Sequence, residues 1–299
     1  MIQALPCTPP QVWRWIYSLL CVYWVNNRVT IDAGSSAESV ENNRSSGRTT
    51  YRKAYVQSIF DSIAGRYDLL NHTLSSGIDI LWRRRLVRML ADVHPRRILD
   101  LATGTADLAI ETARLNPEYI LGIDISDRML DIGRQKIIRR GLQSTITLEH
   151  GDAENLRFPD DSFDAVIAGF GVRNFETLER GLRESFRVLR TGGSAFILEF
   201  STPRNAAAGF FYRMYSRYGI PLIGGAISQH RPAYEYLPST VAEFPDGEAF
   251  CSILRNAGFT GTAYYPQTFG IATIYRARKE NENSHEGSDN PGRPQPRPR

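Results

Sequence analysis

The chain is poor in cysteine, in paired metal ligands, in long apolar runs and in net charge. Cys7, Cys21 and Cys251 have no short spacing between them, which excludes a disulfide framework and a zinc site. A reducing cytoplasm is the natural compartment. The five histidines are scattered, none at metal spacing from a second ligand, so no metal is expected. The most apolar stretch, "VWRWIYSLLCVYWV" at 12–25, is broken by Arg14 and falls short of the roughly 20 residues that span a bilayer. Lys and Arg number 36 against 32 Asp and Glu, a net charge of +4 over 299 residues. That is too mild to argue for nucleic acid. A basic patch such as Arg83, Arg84, Arg85 and Arg88 suits either a solvated helix face or an anionic membrane surface.

What is present is an ordinary globular core, with 42% hydrophobic and 11% aromatic residues. The flanks differ from it. Residues 1–50 form an extra segment whose apolar stretch reads as an interfacial anchor, a signal-peptide core or non-native upstream sequence. It ends in a Ser-, Gly- and Asn-rich linker from residue 33. The tail at 280–299, proline-rich with alternating charges, reads as disordered. Residues 51–279 are left as the working domain.

Within that domain, strands and helices alternate. Helical spacing marks 55–66 and 79–91, then Ile98–Leu101 reads as a buried strand with Asp100 near its carboxyl end. Ala102–Ala106 are all small or turn-forming, and Leu108, Ala109, Thr112 and Leu115 recur at helical spacing. Further strands are expected at Ile120–Asp124, Ile146–His150, Phe163–Ala168 and Ser194–Phe200. The intervening helices run over Asp127–Arg140 and from Leu178 through Leu189, the latter stopping before Gly192-Gly193. After a long insertion come a helix around Phe250–Ala257 and a closing hairpin over Gly261–Tyr265 and Gly270–Arg278. This is an α/β chain with a doubly wound, mostly parallel sheet. Such sheets bind ligands outside the carboxyl ends of their strands.

The first turn selects the ligand. A dinucleotide calls for G-x-G-x-x-G, whereas Ala102–Asp107 offers one glycine and an acid, Asp107, that would repel a phosphate. S-adenosylmethionine carries no phosphate and a cationic sulfonium, so acids are tolerated there. Asp124 ends the second strand where a ribose diol would lie. Asp152, after the third strand, could accept from an adenine amino group while the Ala153 backbone N–H donates to the ring.

Two longer stretches then carry a resemblance. "YDLLNHTLSSGIDILW" at 67–82 is similar to the signature Y-D-x-M-N-x-x-(apolar)-S-x-x-x-H-x-x-W of the menaquinone/ubiquinone biosynthesis C-methyltransferases. "RVLRTGGSAFILEFS" at 187–201 resembles their second signature, and "FGVRN" at 170–174 and "AYEYLPSTV" at 233–241 are also family-like. Leu70 and Asp79 depart from the Met and His of the first signature, and Arg190 and Thr191 from the Lys and Pro of the second. Ala106 stands where the family usually has glycine. Gly169 stands where many members have a cofactor-contacting serine, so that contact is not carried over.

The resemblance implies a Rossmann-like class I methyltransferase sheet with a closing antiparallel strand, and S-adenosyl-L-methionine as cofactor. Thr105, Asp124, Asp152 and Ala153 become its contacts, Thr105 being equally suited to helix N-capping, with Gly104 at closest approach. The implied reaction methylates a ring carbon of demethylmenaquinol to give menaquinol. "NHTLSSGID" and "TFGIATIYRARK" look like menaquinone-making members. The alternatives are the benzoquinol of ubiquinone synthesis or a non-catalytic quinone-binding module. For the chemistry the candidates are Arg173 and Asn174, with Arg173 also readable as a structural ion-pair residue and His72, His230 and Tyr234 behind them. Phe210, Phe211, Tyr212, Tyr215 and Tyr218 in the insertion read either as helix core or, with Trp82, as a lid for a prenyl tail. Expected partners are thus a prenylated quinol and the membrane surface, at the inner face of the cytoplasmic membrane. A homo-oligomer is compatible with this reading; nucleic acid is not expected.

Overall fold

The structure, a computed structural model, describes residues 48–69, 75, 77–205, 209, 214, 236 and 239–280. All of them belong to the compact unit Ser46–Arg299. The expectations for residues 1–47, for His72, His230 and Tyr234, for the insertion's aromatic run and for the tail lie outside the described residues.

Strands β1 (Arg97–Leu101), β2 (Tyr119–Asp124), β3 (Ile146–His150), β4 (Phe163–Gly169), β5 (Leu189–Phe200), β6 (Thr260–Gln267) and β7 (Ala272–Arg278) form one sheet in the order β3-β2-β1-β4-β5-β7-β6. β1 to β5 are parallel, and β7 runs antiparallel to both β5 and β6. The expected closing hairpin is therefore present, with β7 inserted between β5 and β6. Among the described residues six α-helices accompany the sheet: α1 (Arg48–Ile63), α2 (Ile78–Ala91), α3 (Asp107–Thr112), α4 (Asp127–Arg139), α5 (Leu178–Val188) and α6 (Glu248–Asn256). Among the described residues no helix is long and apolar enough to cross a membrane.

The apolar strands bury both faces because successive side chains point to opposite sides. Ile98, Ile120, Ile167 and Phe196 join Leu86 and Leu90 of α2 and Leu130 of α4 in one core. Leu99, Leu121, Val166 and Ile197 join Leu182 of α5 and Phe250 and Leu254 of α6 in the other. Strand order reverses between β1 and β4, and that switch point opens a crevice at their carboxyl ends.

Two boundaries differ from the sequence reading. α1 spans Arg48–Ile63, where helical spacing marked 55–66. α5 ends at Val188, and Leu189 is already extended (φ −71°, ψ 140°) as the first residue of β5. Register against β4 slips between Phe163 and Ala165, which leaves Arg190–Gly193 as a bulge. A side chain at Gly193 would lie 2.7 Å from the Arg190 carbonyl, so glycine there marks a bulge inside a strand and not a helix stop.

Candidate active site

The turn after β1 is wound by left-handed residues: Ala102 (φ 51°), Gly104 (φ 56°) and Ala106 (φ 66°). Phe170, after β4, shares that conformation (φ 61°). Left-handed non-glycine residues cost free energy and cluster where surrounding structure enforces a functional shape. Here the two loops meet: a side chain at Gly171 would come within 2.5 Å of the Ala102 methyl carbon. The crevice between them is lined by Ala102, Gly104, Asp124, Asp152, Ala153 and Phe170, with Asn174 and Phe175 on the β4 side and Lys53, Val56 and Phe60 of α1 above.

Asp124 organises this crevice. Its Oδ2 accepts from the Gly104 N–H at 2.8 Å and its Oδ1 from the Ser126 N–H at 2.9 Å. One carboxylate thus holds both the β1–α3 and the β2–α4 loops at the crevice. Burial pushes its pKa up, an effect opposed by the Ser126 and Gly104 N–H bonds. Nothing lies within 4 Å of where a Gly104 side chain would begin, so bare backbone faces the crevice. These features fit a ribose diol at Asp124 and the cofactor's close approach at Gly104.

Asp152 also lines the crevice, and its Oδ1 accepts from the Glu154 N–H at 2.9 Å. Lys53 of α1 reaches its other oxygen at 2.7 Å and Glu154 at 3.3 Å. Although burial works against the charge, these carboxylates raise the Lys53 pKa. Glu154 is itself buried and accepts from the Glu176 and Thr177 N–H groups at 2.8 and 3.1 Å, just ahead of α5. Ala153 is buried at the crevice wall, and its N–H has no hydrogen bond among the described residues. The carboxylate and the N–H are the acceptor and donor that an adenine edge requires.

Thr105 does not line the crevice. Its hydroxyl donates to Asp68 Oδ1 at 2.6 Å and receives Lys136 Nζ at 3.0 Å. It is not the helix cap either, because Ala106 occupies that position without a side-chain bond. Lys136 also binds Asp68 at 2.9 Å and pairs with Asp107, whose other oxygen lies 3.7 Å from Arg83. Asp107 is therefore neutralised beneath the turn instead of being presented to a ligand. Against a dinucleotide, the single glycine is the stronger of the two sequence arguments.

Asn174 lines the crevice, and its Oδ1 accepts from the Tyr236 hydroxyl at 3.0 Å. Arg173 points the other way. Its Nη1 donates to Glu199 Oε1 at 2.6 Å and also bonds the Phe170 carbonyl, while the Arg173 N–H donates to Glu199 Oε2 at 3.2 Å. The guanidinium also lies 5.3 Å from the Phe200 ring centre.

Lys53, Glu154 and Glu199 escaped the sequence reading. Glu199 and Asp68 sit inside the two signatures and could have been flagged there; Lys53 carried no signal.

Comparison with known proteins fits this geometry. The model of the ubiE/COQ5 methyltransferase family matches residues 48–279. The chain belongs to that family. It is 44% identical over 225 residues to a demethylmenaquinone methyltransferase of Bacteroides fragilis, covering 75% of this chain and 92% of that one. It is also 44% identical over 234 residues to the ubiquinone/menaquinone biosynthesis C-methyltransferase UbiE of Geobacter sulfurreducens, covering 78% and 91%. An S-adenosylmethionine-dependent methyltransferase of Thermotoga maritima, a possible histamine N-methyltransferase, superposes with a TM-score of 0.51 at 19% identity, over 75% of this chain and 99% of that one. That likeness concerns the Rossmann-like fold alone. The chain is thus an S-adenosyl-L-methionine-dependent C-methyltransferase of quinone biosynthesis.

Proposed function

We propose that this methyltransferase converts demethylmenaquinol to menaquinol by methylating a ring carbon. The observation that carries the reading is the Asp124 carboxylate, held by Gly104 and Ser126 at the crevice of a chain 44% identical to a demethylmenaquinone methyltransferase. In this reading Asp124 takes the cofactor's ribose, and Asp152 and Ala153 take its adenine. Thr105 holds the turn through Asp68 and Lys136. When bound, the cofactor supplies an electrophilic sulfonium methyl. The chain's own residues then position the quinol ring and exclude water, from which much of the acceleration in such a transfer derives. Asn174, on the β4 side of the crevice, is a polar group that can orient a ring hydroxyl. Arg173, committed to Glu199, is the positioning residue that fixes the Asn174 turn.

A prenylated quinol resides in the bilayer, so the reading places the protein peripherally at the inner face of the cytoplasmic membrane. Arg84, Arg85 and Arg88 are exposed and suit that surface. Arg83 does not: it is buried and bonds Asp79 at 2.6 Å. The same reading admits a homo-oligomer and takes residues 51–279 as the methyltransferase domain, with the flanks outside the chemistry.

The test is direct. The full-length chain is incubated with labelled S-adenosylmethionine and short-tailed quinols of both ring types. Label in the naphthoquinol is the expected result. Label only in the benzoquinol points to ubiquinone synthesis, and cofactor binding without any transfer points to a non-catalytic module.

A further inference from the structure

The tip of the β6–β7 hairpin has an unusual shape. Thr268, Phe269 and Gly270 are all left-handed, with φ of 43°, 58° and 90°. A bulky side chain avoids that conformation, yet Phe269 holds it and is 83% exposed. The tip is also held in place. Trp82 Nε1 donates to Thr268 Oγ1 at 2.8 Å, and Trp82 is itself buried.

The tip stands at the edge where the crevice opens. Gln267, the last residue of β6, pairs with Ala272, which pairs with Phe200 at the carboxyl end of β5. The Trp82 ring lies 6.1 Å from that of Phe170 and 6.3 Å from that of Phe200. Phe170 lines the crevice. Through Trp82, the rings of Phe170 and Phe200 thus link the crevice wall to the exposed hairpin tip.

Next to Trp82, α2 turns its open face outward. Leu81, 56% exposed, is followed on that face by the exposed Arg84, Arg85 and Arg88, and the exposed Asp92 at the helix end is the one acid in line with them among the described residues. Glu111 of α3 approaches Arg84 at 3.6 Å and leaves the other two arginines without an ion pair among the described residues. An apolar wedge flanked by basic side chains is complementary to a bilayer with anionic headgroups.

We propose that Phe269 and Leu81 insert among acyl chains of an anionic membrane while Arg85 and Arg88 rest on its headgroups. The aromatic layer of Trp82, Phe170 and Phe200 then forms the apolar threshold that a prenyl tail crosses. This rests on the reading that the acceptor is a prenylated quinol.

Phe269→Gly separates docking from folding, because glycine removes the wedge and relieves the left-handed backbone. The full-length chain is sedimented with phosphatidylcholine vesicles, with and without phosphatidylglycerol. Phe269→Gly is expected to lower vesicle binding roughly tenfold, as loss of a buried aromatic ring should. Its melting temperature should equal or exceed that of the parent, and its rate on a water-soluble, short-tailed quinol should be unchanged. Arg85→Glu with Arg88→Glu should abolish the preference for phosphatidylglycerol. Parental vesicle binding by Phe269→Gly overturns the proposal. So does a lower melting temperature, which would mean that Phe269 packs under this chain's own residues. Loss of a dimer in vesicle-free buffer overturns it too, by assigning the face to a second copy. Failure of the parent to methylate any quinol while Phe269 still governs vesicle binding would instead sink the substrate reading and leave the docking edge standing.

Discussion

Arg173 and Glu199 form an ion pair sealed from solvent, with side-chain exposures of 5% and 0% and a 2.6 Å bond. One partner sits in the turn after β4, the other next to the end of β5. The pair ties the turn after β4 to the carboxyl end of β5, and Asn174 follows Arg173 directly. Its Nε has no partner among the described residues, so the guanidinium depends heavily on Glu199 for its compensation.

Breaking such a pair from one side leaves a buried charge uncompensated. Arg173→Ala is expected to lower unfolding free energy by about 3–5 kcal/mol, whereas Arg173→Met with Glu199→Met should recover most of that loss. Urea midpoints measure both. If Arg173→Ala instead unfolds like the parent and methylates a hundredfold more slowly, the guanidinium acts on the substrate itself and not through Asn174.

Asp124 gives a second prediction. Charged hydrogen bonds to a ribose are worth about 1.5–3 kcal/mol, so Asp124→Ala should weaken S-adenosylmethionine binding at least tenfold by calorimetry. The variant also releases the Gly104 and Ser126 N–H groups. Faster hydrogen exchange at those two amides should accompany the loss. Parental affinity would remove Asp124 from the cofactor site.

A third concerns the flanks. α1 starts at Arg48, and its Lys53 reaches Asp152 in the crevice wall. A protein of residues 46–280 should therefore fold and methylate a short-tailed quinol at the full-length rate. One starting after Lys53 should lose cofactor affinity. Equal activity of the two would detach α1 from the site.

The strands were legible because β1 and β2 are short apolar runs with an acid at or next to their carboxyl ends, and that pattern put Asp124 at the end of β2. Leu189 was misplaced because it continues the helical spacing of Leu182 and Phe186, and only the bulge at Gly193 reveals a strand already begun. Thr105 was ambiguous for a chemical reason: a hydroxyl ahead of a helix suits a cap, and nothing local shows that Asp68 and Lys136 claim it instead. Lys53 was out of reach, since the acid it pairs with lies 99 residues away in sequence. Arg173 was singled out by its motif, but its burial against Glu199 depends on how β4 and β5 align. For Thr105, Lys53 and Arg173 the missing layer was long-range charge pairing.

Asp100 yields the last prediction. It is fully buried in β1, its Oδ2 accepts from Thr103 Oγ1 at 2.6 Å, and its Oδ1 has no partner among the described residues. Burial pushes its pKa up to about 7; the Thr103 hydroxyl and the Ala109 N–H oppose this, the Asp124 charge adds to it, and Arg83 opposes it. In the unfolded chain the carboxyl titrates near its ordinary value of about 3.9. Between those values the folded state binds the extra proton, so stability falls as pH rises through that window and the penalty is complete above it. Asp100→Asn removes the titration. Whatever offset its amide introduces is the same at every pH, so the informative quantity is how the gap between variant and parent changes. That gap should shift in favour of Asp100→Asn by about 2–4 kcal/mol between roughly pH 4 and pH 8, read from urea unfolding at each pH. Parallel stability curves for the two proteins would mean that Asp100 is charged throughout, with its Oδ1 satisfied by a partner such as ordered water.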